Sequence, residues 1–169
     1  MKNSPAKVLS LVALLAAIAL ITMAPSCQGP VVSSWNVVIT KKTPASIEVD
    51  LVGVTAAEKR FYEGVTMEDY WKSGSSVRRD ADKLSQILQL DQPWTVSASD
   101  PQLQAWLRRG VQEVLLIADL PGSSGLWKVT LPLDKKAWDS KSEDYKQKTL
   151  KINILETRIE VMTPRKAGR

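Results

Sequence analysis

The chain has 169 residues, one Cys and no His, which excludes Ser-His-Asp and Cys-His catalysis, His-ligated or thiolate zinc sites, and an internal disulfide. Its net charge of +5 arises at the two ends, because 18 basic side chains balance 18 acidic ones once five terminal cations are set aside: Lys2, Lys7, Arg165, Lys166 and Arg169. A nucleic-acid-binding domain concentrates cations on one folded face, so this distribution predicts no nucleic-acid partner.

The N-terminal segment predicts an export signal. Lys2 and Lys7 form a positive start, and residues 8–23 carry no charge and are rich in Leu, Ala, Ile and Val. This pattern is typical of the apolar region of a signal peptide. The 16 residues of 8–23 are fewer than the roughly 20 that comfortably span a bilayer.

The only cysteine, Cys27, follows the apolar segment directly after Ala24-Pro25-Ser26. This arrangement resembles the signal peptide of bacterial lipoproteins, although Ala24 stands where that family favours Leu. The resemblance implies cleavage before Cys27, acylation of its thiol and, because Gln28 rather than Asp follows, anchoring in the outer membrane with the domain facing the periplasm. Two alternatives remain open: a free cysteine after an ordinary cleavage site, or an uncleaved N-terminal anchor.

Two strands are predicted where the mature domain begins. Residues 28–34 hold Gly, Pro and Ser without charge and predict a short tether. Residues 35–40 (WNVVIT) are β-branched and aromatic, which favours a strand. In 46–54 (SIEVDLVGV) apolar residues alternate with Glu48 and Asp50. This alternation predicts a half-buried strand with both carboxylates on its solvent face.

Short helices and a third strand are predicted next. The sequence Thr-Ala-Ala-Glu at 55–58 is a capping box, so a helix is expected to begin there and run to about residue 63. Residues 66–69 form a weaker helix start, with Asp in place of Glu. Residues 77–83 are charged and compatible with a helix, and 84–90 alternate in a way that predicts a strand.

The second half of the chain predicts one helix and three or four further strands. Asp100 before a proline marks a helix start, and Gly110 suits the helix end. Residues 113–120 (EVLLIADL) form an apolar run typical of a central strand, and 126–133 return as its hairpin partner, with Pro at an edge. Residues 149–162 change parity near the middle, which predicts a bulge or a tight turn between two strands.

These six to seven strands with short helical connections predict a mainly β fold, an antiparallel β-sandwich. The predicted organisation is a signal peptide at 1–26, a tether at 27–34, the sandwich domain at 35–164 and a basic tail at 165–169. The expected state of the tail is a solvated, frayed end.

Paired carboxylates are the groups that can support acid–base chemistry without His. Glu48 and Asp50 lie about 7 Å apart on one strand face, which is compatible with glycosidase spacing. Alternation already explains them as solvent-facing residues, so no enzyme is predicted. A small-ligand binder or a carboxylate-based hydrolase stays as an alternative. Asp69, Asp80 and Asp82 lack the calcium-loop pattern, and no metal or cofactor is predicted.

The six Trp residues contrast with a single Phe. Three lie inside predicted elements and are interpreted as core residues: Trp35, Trp106 and Trp127. The other three lie at element ends or in loops and either close the ends of the sandwich or form a recognition surface: Trp71, Trp94 and Trp138. Because charges flank them, Tyr70 and Trp71 are the preferred candidates for partner binding.

A cysteine anchor, a short tether and a small sandwich together resemble the outer-membrane lipoprotein of bacterial type VI secretion systems. The similar stretches are SIEVDLVGV at 46–54 with the following Phe61 and Tyr70-Trp71, and VLLIADLPG at 114–122 with the strand after it. The resemblance implies a transthyretin-like sandwich that binds the periplasmic part of an inner-membrane secretion protein. It carries over one functional position, Cys27, and implies a non-catalytic assembly role.

Overall fold

The computed structural model describes residues 35–123 and 125–167. The predicted export signal, Cys27 and the tether at 28–34 lie outside the described residues. No helix among the described residues is long and apolar enough to cross a membrane.

Eight strands within the described residues form two four-stranded sheets. In chain order they are β1 (Asn36–Lys41), β2 (Ile47–Val54), β3 (Lys83–Leu88), β4 (Trp94–Val96), β5 (Glu113–Ala118), β6 (Lys128–Pro132), β7 (Thr149–Ile154) and β8 (Ile159–Val161). One sheet has the order β4-β1-β7-β8 and the other the order β3-β2-β5-β6. The predicted β-sandwich is therefore confirmed, with the short strand β4 added to the predicted set.

Short helices fill the connections between the strands. They are α1 (Ala56–Glu63), α2 (Met67–Trp71), α3 (Ser76–Asp80), α4 (Pro101–Arg108) and α5 (Glu143–Lys146), with a 3-10 turn at Lys135–Ala137. The first three follow one another between β2 and β3. This segment, the α1–α3 connection, is long for a link between two strands that pair directly.

Most strand pairs are antiparallel, as predicted. The β5–β6 hairpin forms, with β6 at a sheet edge. The parity change in 149–162 is a tight turn, because β7 and β8 pair through Ile154 and Ile159. One pair departs from the pattern, since β1 runs parallel to β7. These two strands lie at opposite ends of the domain sequence, and they pair at the centre of the first sheet.

Local sequence signals set the helix ends. Thr55 and Glu58 form the predicted capping box: the Thr55 amide donates to Glu58 Oε2 at 2.7 Å. That backbone hydrogen bond is the main reason why the pKa of Glu58 is lowered. Asp100 caps α4 and accepts from the Gln102 amide at 2.9 Å. Gly110, with φ of 85°, ends the helix as predicted.

One hydrophobic cluster joins the two sheets and includes Trp35, Trp106 and Trp127. Their predicted core positions are confirmed, since the most exposed of them, Trp127, is 7% exposed. Trp106 lies directly on β2 at Gly53, where an added Cβ would come within 2.6 Å of the Trp106 Cγ. Trp138 is also buried, and its Nε1 donates to the Pro132 carbonyl at 3.0 Å.

The structure differs from one prediction about solvent exposure and from one about order at the C-terminal tail. Asp50, expected on a solvent face, is fully buried because the α1–α3 connection covers that side of β2. Arg165, expected in a frayed tail, donates to the Thr130 carbonyl and lies 5.5 Å from the centre of the Trp138 ring. Packing against the sandwich, rather than local sequence, holds both residues.

Candidate functional site

The candidate site lies where the α1–α3 connection packs on β2. Thr66 caps α2 through its side chain, which accepts from the Asp69 amide at 3.1 Å. Ser75 caps α3 and accepts from the Arg78 amide at 3.3 Å, and its hydroxyl donates to the Asp69 carbonyl at 2.7 Å. These bonds place Tyr70 and Arg78 over Asp50.

Asp50 is the buried anion at the centre of the site. The Tyr70 hydroxyl donates to Asp50 Oδ2 at 2.9 Å, and Arg78 Nε donates to the same oxygen at 2.8 Å. Arg78 Nη2 also donates to Asp50 Oδ1 at 3.3 Å. The carboxylate is thus satisfied by a bidentate guanidinium and a phenol, the geometry that makes a buried charge tolerable.

The pKa values of Tyr70 and Arg78 are both raised in this cluster, so both side chains keep their protons. The hydrogen bond to Asp50 raises the pKa of Arg78, and this effect outweighs burial, which acts in the opposite direction. Burial, and then the charge of Asp50, raise the pKa of Tyr70. Tyr70 therefore stays a hydrogen-bond donor and Arg78 stays a cation throughout the physiological range.

Glu48 is held by the same arginine. Arg78 Nη2 donates to Glu48 Oε1, so both members of the candidate carboxylate pair bind one guanidinium. A hydrolase needs one carboxyl group to donate or remove a proton at the substrate. Glu48 and Asp50 instead neutralise a structural cation, and Asp50 has no exposed side-chain surface. The arrangement is that of an ion-pair cluster.

Trp71 forms the outer edge of this cluster. The Arg78 guanidinium carbon lies 4.2 Å from the centre of the Trp71 ring, a cation–π contact. Tyr70 packs edge-on against the same ring at 5.2 Å. The indole is partly exposed and stands between the buried cluster and solvent.

A surface groove of about 440 Å³ opens beside Trp71. We call it the cationic groove; it is lined by residues 71–75 with Arg78, Arg79 and Lys83. Four of the lining side chains are basic and none is acidic; the fourth basic one, Lys72, belongs to the 71–75 segment. Gly74, with φ of 73°, forms the tight turn at its floor, a backbone conformation that favours glycine.

The structure separates the two residues predicted to bind a partner. Tyr70 is fully buried, so its ring supports Asp50 and offers no surface to a partner. The expectation of an exposed Tyr70 fails because β2 and Trp127 lie against it. Trp71 lies in the wall of the cationic groove. The sequence prediction missed Arg78, and its only signal was the pair of adjacent arginines.

The three aspartates considered for calcium bind separate partners. Asp69 pairs with Lys72 at 3.0 Å and Asp82 with Arg109 at 2.7 Å. Asp80 pairs with the neighbouring arginine at 2.8 Å. Among residues 35–123 and 125–167, no group of three or more Cys, Asp or Glu is arranged to hold a metal ion.

A second cavity, also of about 440 Å³, lies at one end of the sandwich. It is lined by the β1–β2 turn at 42–47, by 119–121 after β5 and by Glu156. Burial, and then the charge of Glu48, raise the pKa of Asp119 in its wall. Behind the turn, the buried Lys41 ammonium donates to the Thr43 and Ala45 carbonyls, which fixes the turn to β1.

No protein-family model matches the chain, and no curated protein matches it. Solved structures do resemble it. A chain in the structure of the T6SS protein TssM C-terminal domain (869-1107) from EAEC is 10% identical, with a TM-score of 0.52, over 76% of this chain and 99% of that one. The likeness agrees with the sandwich seen in the two sheets and, at this identity, shows the fold alone.

Two further structures have lower TM-scores. The Serratia marcescens protein Lip, a membrane-bound component of the type VI secretion system, is 15% identical over 76% of this chain and 96% of its own, with a TM-score of 0.48. The T6SS lipoprotein TssJ1 from Pseudomonas aeruginosa is 13% identical over 80% of this chain and 98% of its own, with a TM-score of 0.41.

Proposed function

We propose that this chain is a lipoprotein anchored through Cys27 at the outer membrane, where its sandwich domain faces the periplasm and binds a protein of an envelope complex. The leading complex is a type VI secretion system, and the partner would be the periplasmic part of an inner-membrane secretion protein. The domain acts by binding and assembly, without catalysis.

The observation that carries this proposal is the place of Cys27 in the sequence, shortly before the first strand of the sandwich. Trp35, the first described residue, is eight residues from Cys27. A fully extended chain spans at most about 3.3–3.6 Å per residue, so a stretch of this length can span at most about 28 Å. Tethering at that range raises the effective concentration of a surface partner, so a modest affinity suffices.

The chemistry of the described domain favours binding over catalysis. The best carboxylate pair, Glu48 and Asp50, is bound by Arg78, while the open groove beside it is lined by cations and Trp71. Because Trp and Arg are enriched at binding hot spots, a groove with these residues in its wall supports a binding role. The similar structures named above come from type VI secretion, and this is the support for that complex over other envelope assemblies.

The anchor is tested with Cys27→Ser. We expect the wild-type protein to fractionate with membranes and Cys27→Ser to move to the soluble periplasmic fraction with its fold retained. Intact mass distinguishes the competing forms, since cleavage before Cys27 removes 26 residues and acylation adds mass. A Cys27→Ser protein that stays in the membrane at full length would refute the lipid anchor and support the uncleaved form.

The partner is tested by crosslinking the native protein in isolated envelopes and identifying the captured proteins by mass spectrometry. Recovery of an inner-membrane secretion protein, lost when the Cys27→Ser variant is used as bait, would support the proposal. Recovery of abundant envelope proteins alone, in equal amounts with an unrelated lipoprotein as bait, would contradict it.

A further inference from the structure

Basic side chains line the cationic groove. Residues 35–164 hold 18 basic and 18 acidic side chains, yet the groove lining contains Lys72, Arg78, Arg79 and Lys83 without a carboxylate. One of these cations, Arg78, is already neutralised by Glu48 and Asp50. Lys72, Arg79 and Lys83 are the cations that an approaching ligand would meet.

The wall of the groove is rigid before any ligand arrives. Arg78 is fixed by Asp50 from below and by the Trp71 ring from the side. Ser75, which is 5% exposed, ties the groove floor to α2 through its bond to the Asp69 carbonyl. A preorganised wall lowers the entropy that binding must overcome.

Lys72, Arg79 and Lys83 can each take a new anionic partner. Lys72 and Arg79 pair only with exposed Asp69 and Asp80, and exposed pairs of this kind contribute little and exchange readily. Lys83 donates to the Arg78 carbonyl at 2.6 Å and forms no ion pair within the described residues.

The side chains that line the groove favour a peptide segment over a small anion. Its volume of about 440 Å³ lies within the range of about 300–1,000 Å³ typical of ligand pockets. A single small anion would fill a minor part of it and would leave the exposed part of the Trp71 ring uncovered. A chain segment provides carboxylates for the cations and an apolar side chain for the indole at the same time.

We propose that the cationic groove binds an acidic segment of a protein partner, with its carboxylates facing Lys72, Arg79 and Lys83 and an apolar side chain against Trp71. This inference rests on the proposed binding role of the domain but is independent of its assignment to secretion. It deepens that role by stating which surface binds and what chemistry it recognises.

The direct test is calorimetric titration of the full-length protein with hexaglutamate, and with hexaglutamine as the uncharged control. We expect hexaglutamate to bind, hexaglutamine not to bind, and the affinity to fall steeply as salt is raised. The variant Lys72→Glu/Arg79→Glu should weaken hexaglutamate binding at least tenfold. Failure of the wild-type protein to bind hexaglutamate would overturn the inference.

A matched control separates the groove from net charge. Lys135→Glu/Lys136→Glu makes the same change in charge on the exposed 3-10 turn. We expect that variant to bind hexaglutamate within twofold of wild type, with circular dichroism showing both variants folded. Equal losses in the two variants, or displacement of hexaglutamate by equimolar inorganic phosphate, would overturn the peptide groove.

The envelope crosslinking experiment distinguishes failure of this inference from failure of the proposed function. If Lys72→Glu/Arg79→Glu captures a secretion protein as well as wild type does, the function stands and the groove inference fails. If hexaglutamate binding behaves as expected but no envelope protein is captured, the groove chemistry stands and the assembly role fails.

Discussion

Replacing Arg78 by Met should destabilise the domain more than any other change in the candidate site. Methionine keeps most of the side-chain volume but removes the guanidinium from Asp50, whose side chain has no exposed surface. Asp50 would retain one strong donor, the Tyr70 hydroxyl at 2.9 Å. The variant thus leaves a buried carboxylate without its counter-charge.

The size of the effect follows from the geometry of the pair. Two unit charges about 4 Å apart attract by about 4 kcal/mol at an effective dielectric constant of about 20. Removing one member of a buried pair costs about 3–5 kcal/mol in measured cases. Because Arg78 is 23% exposed and Tyr70 remains, we expect about 3 kcal/mol, or roughly 10 °C in Tm for a domain of this size.

Urea unfolding at pH 7, followed by far-ultraviolet circular dichroism, measures this loss. Tryptophan fluorescence is unsuitable, because Arg78 lies against Trp71 and its removal changes the signal directly. The neighbouring Arg79→Met is the matched control. Among the described residues Arg79 forms an ion pair with the exposed Asp80 alone, so its loss should leave the urea midpoint unchanged.

A double-mutant cycle with Asp50→Asn tests the mechanism. The neutral amide removes the buried charge, so Asp50→Asn/Arg78→Met should be more stable than the sum of the two single effects implies, by about 2 kcal/mol. Additive single effects, or an Arg78→Met variant as stable as Arg79→Met, would refute the view that Arg78 compensates a buried carboxylate.

Two further outcomes are expected. Gly53→Ala places a Cβ within 2.6 Å of the Trp106 Cγ and should lower the free energy of unfolding, measured in urea, by about 2 kcal/mol or more. The control is Gly64→Ala, whose Cβ meets a carbonyl at 3.7 Å, and equal effects of the two variants would contradict the close packing. Asp119→Asn should stabilise the domain at pH 7, because burial raises the folded pKa of Asp119. The native state therefore binds the proton more tightly than the unfolded state, and it loses stability as pH rises from about 4 through that raised pKa. Unfolding curves at pH 7 and pH 3 should show the gain only at pH 7, and an equal gain at both would contradict the shift.

Much of the fold could be predicted because its signals are local. Alternation identified β2, and a continuous apolar run identified β5, since side chains on a strand repeat every second residue. The Thr55 capping box and the Asp100 cap bond to amides two or three residues away. Contacts between residues so close in the chain can be predicted from the sequence.

The parallel pairing of β1 with β7 and the short strand β4 were decided by tertiary structure. β4 has three residues, too few to show a periodic pattern, and it exists because β1 offers a free edge. β1 and β7 are brought together from opposite ends of the domain. Nothing in either segment encodes the direction of a partner so far along the chain.

The candidate site shows the same division at the level of single residues. The sequence by itself identified Trp71 as a residue at an element end and placed Glu48 and Asp50 on one face of β2. It could not reveal whether that face meets water, because alternation reports the side of the strand and not what covers it. Arg78, 28 residues after Asp50, covers Asp50 only in the folded chain. That contact makes the apparent solvent-facing pair part of an ion-pair cluster, with Asp50 fully buried, beside the cationic groove.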